Sequence, residues 1–68
     1  MKCYITFGQK DILMINGKRL DEDCVVELNV DNIIAGHEKA TEIFNGKFSM
    51  CNKRKPNMTL YPRGIIVI

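Results

Sequence analysis

Lys53, Arg54 and Lys55 form the densest run of charge in this 68-residue chain, and Tyr61 and Arg63 follow within ten residues. These types can bind an anion. Arg63 can fork onto a phosphate, the lysines add point charge, and Tyr61 offers a ring on which a base could stack. Gly64 next to Arg63 leaves the backbone open to close approach. Charge runs are more often plain solvated surface, so anion binding competes with that simpler reading. Gly36 and His37 are two further candidates for the rim of such a site. A glycine inside a helical stretch signals close approach, either of a packed neighbour or of a ligand. His37, the single histidine, has no visible nucleophile or carboxylate partner in sequence, so it is read as a packed or boundary residue and not as a catalyst.

Patterns that would define an enzyme are missing. The chain contains no GxSxG, HExxH, GxxxxGK[ST] or GxGxxG motif. Its three cysteines, Cys3, Cys24 and Cys51, are odd in number and widely spaced, without a CxxC pair. That argues for buried thiols in a reducing compartment rather than a zinc site or a disulfide framework. Asp21-Glu22-Asp23 lacks the alternate spacing and central glycine of a calcium loop and reads as a solvated turn. No catalytic residue, metal or cofactor is therefore assigned.

Charge is divided along the chain. Residues 1–46 carry five basic and eight acidic side chains, a balance of −3; residues 47–68 carry five basic and no acidic ones, a balance of +5. An anionic partner would meet the C-terminal third. The acidic N-terminal two-thirds would repel a long duplex, and no nucleic-acid module is recognisable, which argues against polymeric nucleic acid. No apolar run approaches membrane-spanning length, and Met1–Lys10 lacks the apolar core of a signal peptide, so a cytoplasmic location is expected.

The element that must position these groups is a helix over 31–46. Ile33, His37, Ala40 and Phe44 recur at i, i+4, i+7 and i+11, with Ile43 beside them. Asp31 or Asn32 can cap its start, and Asn45-Gly46 supplies a left-handed stop. Strands surround it. Lys2–Phe7 alternates, with Cys3, Ile5 and Phe7 on one face. Asn16-Gly17 marks a hairpin between Ile12–Ile15 and Lys18–Leu20. Cys24–Val30 alternates as a central strand, with Cys24, Val26, Leu28 and Val30 on one side. Phe48–Cys51 is a further strand, Met58–Tyr61 a short extended piece, and Ile65–Ile68 an apolar strand for the sheet or for a subunit contact. The sum is one α+β domain over 1–68, a small, mainly antiparallel sheet with one helix packed across a face.

Three patches together, Tyr4-Ile5-Thr6-Phe7-Gly8-Gln9, Ile15-Asn16-Gly17 with Asp23-Cys24-Val25, and Tyr61-Pro62-Arg63-Gly64-Ile65-Ile66, resemble short accessory proteins of bacteriophages and prophages. The likeness spans nearly the whole chain. The chain departs from that pattern after Gly8-Gln9, where Lys10-Asp11-Ile12 stand in place of histidines, so no histidine role carries over there. The resemblance implies stoichiometric binding rather than turnover. The ligand would be a phosphate-bearing nucleotide signal of antiphage defence, captured by Arg63, Lys53, Arg54, Lys55 and Tyr61 with Gly36 or His37 nearby. The alternative is a host defence protein blocked through a sheet edge or a charged face. A homo-oligomer fits the first reading, because a chain this short needs a second copy to wall a deep pocket.

Overall fold

The structure, a computed structural model, describes all residues 1–68. Six strands, one α-helix and one 3-10 turn follow in order: β1 Lys2–Thr6, β2 Leu13–Ile15, β3 Lys18–Leu20, β4 Cys24–Asn29, α1 Ile33–Phe44, β5 Met50–Asn52, the 3-10 turn Met58–Leu60, and β6 Gly64–Val67. Four strands make one sheet in the order β5-β1-β4-β6, while β2 and β3 pair separately as a hairpin. The β1–β4, β1–β5 and β2–β3 pairs are antiparallel and β4–β6 is parallel. This is the expected α+β class, with one parallel edge.

Local chemistry explains the borders. Asn16 and Gly17 have φ of 52° and 77°, the two left-handed positions of the tight turn that lets Leu13 face Leu20. Asn32 caps α1, its side chain accepting from the Ala35 N–H at 2.8 Å. Asn45 ends the helix at φ 55°, and its backbone N–H donates back to Thr41 O.

The core lies between α1 and one face of the sheet. Cys3 and Ile5 of β1, Cys24, Val26 and Leu28 of β4, Ala40 and Phe44 of α1, and Phe7 and Leu20 are all buried together. Phe7 and Phe44 meet edge to face, with ring centroids 5.2 Å apart. Burying each such large side chain contributes about 2 kcal/mol, and a domain of this size has few of them.

The helix is rolled slightly from the register its sequence suggests. Its buried residues are Gly36, Ala40 and Phe44, with Ile33 and Ile43 packed at the margin; His37 is exposed. Gly36 is the reason. A Cβ there would lie 2.8 Å from Cys3 Sγ and 3.2 Å from Val30 Cγ2, so the helix backbone rests directly on the sheet at that point.

Two crossovers fix the remaining topology. From β4 the chain passes through α1 to β5, crossing β1; from β5 it returns through 53–63 to β6, crossing β1 and β4 in the opposite direction. Crossovers between parallel strands are right-handed in roughly 98% of cases, so two that run in opposite directions lie on opposite faces. By that rule the 53–63 connection is expected on the face away from the helix. That face carries Thr6 and Val25, which are paired in register and buried although neither belongs to the helix-side core. Within the connection Met58–Leu60 is not extended as expected. Asn57 Oδ1 accepts from the Thr59 N–H and hydroxyl, and Leu60 N donates to Asn57 O, which curls the segment into a 3-10 turn.

Candidate functional site

Of the residues that could bind an anion, Arg63 is engaged within the fold. Its Nη1 donates to Asp21 Oδ2 at 2.9 Å. Arg19 Nε donates to the same oxygen at 3.1 Å, and the Asp23 N–H donates to Asp21 Oδ1 at 3.0 Å. Asp21 itself is buried, so the Asp21-Glu22-Asp23 segment is not the plain solvated turn its composition suggests. Burial pushes the Asp21 carboxyl up, but the Asp23 N–H and the Arg63 and Arg19 guanidiniums outweigh it and hold the group below its ordinary value.

The same turn is braced by its backbone. Cys24 N donates to Asp21 O, the Cys24 thiol also donates to that carbonyl at 3.4 Å, and Arg63 N donates to Asp23 O at 2.9 Å. Arg63 therefore docks the start of β6 onto the turn before β4, with both backbone and side chain. Sequence reasoning passed over Asp21 as a site residue. The available signal was Arg19 two positions before it; the deciding partner stands 42 residues away.

Lys53, Arg54 and Lys55 are all exposed. The chain has three salt bridges, Lys2–Glu27, Arg19–Asp21 and Arg63–Asp21, and none involves this loop. Strand register sets its distance from Arg63. Cys3 would face Lys53 if the β1–β5 ladder continued one step, and Leu28 would face Ile68 on the β4–β6 side, so Lys53 leaves the sheet at the end opposite Arg63 and at the opposite edge. Three strand spacings and five residue rises separate the two, on the order of 20 Å. The cations that are close in sequence are thus not gathered into one group: Arg63 is a structural tie and the 53–55 run is a free basic loop.

Tyr61 is half-buried and ends the 3-10 turn, its N–H donating to Met58 O. His37 lies beside Phe48, ring centroids 5.4 Å apart and steeply inclined, on the helix flank. The space beside Gly36 is occupied by Cys3 and Val30, so the close approach that this glycine permits is that of the sheet. No enclosed pocket opens on the protomer.

The thiols offer little nucleophilic character. Cys3 and Cys24 are buried and Cys51 is half-buried. Burial pushes Cys24 up, and burial together with the neighbouring Cys3 thiol pushes Cys51 up to about 11. No three His, Cys, Asp or Glu side chains converge as a metal site would require. No helix is long and apolar enough to cross a membrane. Comparison with protein-family models, with curated proteins and with solved structures gave no match. The fold and the loop together define a small α+β domain that displays an unpaired basic segment.

Proposed function

We propose that this protein is a non-enzymatic binding protein of the phage accessory type, cytoplasmic in the host, that blocks a host or defence protein by surface contact. The observation that carries the reading is the loop Lys53-Arg54-Lys55, exposed and without a carboxylate partner, on a protomer without a pocket. Unpaired cations on an exposed loop suit an acidic protein surface better than an enclosed small ligand. They steer encounter and fix orientation while costing the folded chain no internal ion pair.

A second reading is supported by the same free cations. Two protomers could hold a phosphate-bearing nucleotide of the defence response between their basic loops, with Tyr61 as the stacking surface, because a second copy supplies the missing wall. Arg63 would contribute there only by leaving Asp21.

The test is affinity capture from host lysate with the native chain and with a Lys53→Glu, Arg54→Glu, Lys55→Glu variant, followed by native mass spectrometry of the native preparation. Under the first reading one host protein is retained by the native chain, is released by raised salt and is absent with the charge-reversed variant. Retention by both forms alike would sink the role of the loop. A nucleotide-sized mass on the native chain, lost in the variant, would favour the second reading.

A further inference from the structure

We infer that the free edge of β6 is a self-association surface, on which a second copy of this chain pairs antiparallel about a twofold axis at Ile66. The inference depends on no ligand or host partner.

The two edges of the four-stranded sheet are built differently. β5, at one edge, is three residues long, and Lys47, Lys53, Arg54, Lys55 and Pro56 flank it. Short length, lysines and proline are the ordinary means by which a sheet edge refuses a further strand. β6, at the other edge, is four residues long and follows Pro62 and Arg63, but Gly64-Ile65-Ile66-Val67-Ile68 itself contains no charged side chain and no proline. Val67 is 63% exposed and Ile68 42% exposed. The nearest charge, Arg63, is tied down on Asp21.

Hydrogen-bond parity shows which groups the edge presents. Ile68 N donates to Glu27 O, and Ile66 is in register with Val26, so Ile66 and Ile68 turn their backbone groups toward β4. Ile65 and Val67 consequently turn theirs outward, where β6 has no neighbouring strand. An antiparallel copy centred on Ile66 sets Ile65 opposite the Val67 of the second chain, and Val67 opposite its Ile65. Both become hydrogen-bonded pairs, so all four outward N–H groups of the two strands find a carbonyl.

Side chains agree with that register. Each exposed Val67 lies against an Ile65 on the face away from the helices, the two Ile66 side chains meet on the helix face, and each Ile68 lies beside a glycine, Gly64. Branched side chains directly opposite one another are favourable pairs in a sheet. Charge selects a copy of this chain over an arbitrary strand. Self-pairing of an uncharged segment brings no like charges together, whereas self-pairing at the β5 edge would oppose lysine to lysine. The contact is small, below the roughly 1,200 Å² of a standard interface, and the association is therefore weak and concentration-dependent.

Sedimentation equilibrium of the full chain, without added ligand, tests this across a concentration series reaching the millimolar range. The expected mass climbs from 7.8 kDa toward twice that value. Val67→Pro removes an outward N–H that the monomer does not use, a placement proline tolerates on an edge strand, and should hold the chain at the monomer mass. Val67→Lys should do the same by charge and serves if the proline variant misfolds. Ile34→Lys, at a 70% exposed helix position, should leave association intact. Isotope-filtered nuclear Overhauser spectra of a mixed labelled and unlabelled sample should show Ile65 methyls against Val67 methyls between chains. A native chain that stays at the monomer mass throughout overturns the proposal. So does an association that persists in both Val67 variants.

Discussion

Arg63 Nη1 and Asp21 Oδ2 stand 2.9 Å apart across 42 residues of chain. The pair joins the outermost strand of the sheet, β6, to the turn that launches the central strand, β4. Arg19 shares the same oxygen at 3.1 Å, so one carboxylate holds two cations from two different segments. A residue whose type suggests a phosphate hook serves here as an internal tie. That placement separates the engaged Arg63 from the free cations at 53–55.

Removing Arg63 tests the tie. A hydrogen bond to a charged group contributes about 1.5–3 kcal/mol, and solvent on the guanidinium side reduces this, so Arg63→Ala should cost about 1–2 kcal/mol. Urea unfolding should show the midpoint falling with an unchanged slope. Arg63→Lys should recover only part of the loss, since an ammonium cannot reproduce the planar fork. An unchanged midpoint in Arg63→Ala would mean that the pair is screened and adds nothing.

The acid limb of stability should carry the signature of Asp21. Its folded carboxyl lies below the ordinary value of 3.8 that the unfolded chain would show. A depressed carboxyl stabilises the fold above the unfolded value and loses that contribution as pH falls through the folded value. Stability should therefore start to decline near pH 3.8 and keep declining below it. Asp21→Asn should be less stable at neutral pH and flatter in this range. The check is denaturant midpoint against pH for both chains; parallel curves would assign the acid limb to other carboxylates.

Gly36 makes a prediction whose sign runs against helix propensity. Alanine in place of a helical glycine should gain about 1 kcal/mol on propensity alone. Here the added Cβ would sit 2.8 Å from Cys3 Sγ in a closed core, and overpacking of this kind costs about 1–3 kcal/mol. Gly36→Ala should therefore be net destabilising in thermal unfolding. Cys3→Ala removes the colliding sulfur, so the double variant should be more stable than the sum of the single effects predicts. Additive effects would show that helix and sheet part easily at this point.

The depth to which the sequence discloses the molecule differs from segment to segment. Alternation over Lys2–Phe7 and Cys24–Val30 is visible in the residues, and both segments form strands with Cys3, Ile5, Cys24, Val26 and Leu28 buried. Asn16-Gly17 specifies its turn because both positions need positive φ. Met58–Tyr61 misleads, since Asn57 draws the chain into a 3-10 turn through side-chain hydrogen bonds that periodicity does not register. On the helix, periodicity places His37 on the buried stripe, whereas the structure buries Gly36 there and leaves His37 exposed. The close approach of Gly36 to Cys3 sets that roll, and Cys3 lies on another element.

By itself, then, the sequence determined the α+β class, the single helix with its caps, the hairpin, the thiol character of the cysteines and the excess of positive charge in the last third. These depend on neighbours a few residues apart, whose torsional and hydrophobic preferences are local. Tertiary structure alone decided that β6 lies parallel to β4, that Asp21 is buried beneath two arginines, that Gly36 meets the sheet, and that Arg63 and Lys53 are held at opposite ends of it. Those outcomes follow from which distant segments close on one another, and chain closure is governed by the packing of the whole core.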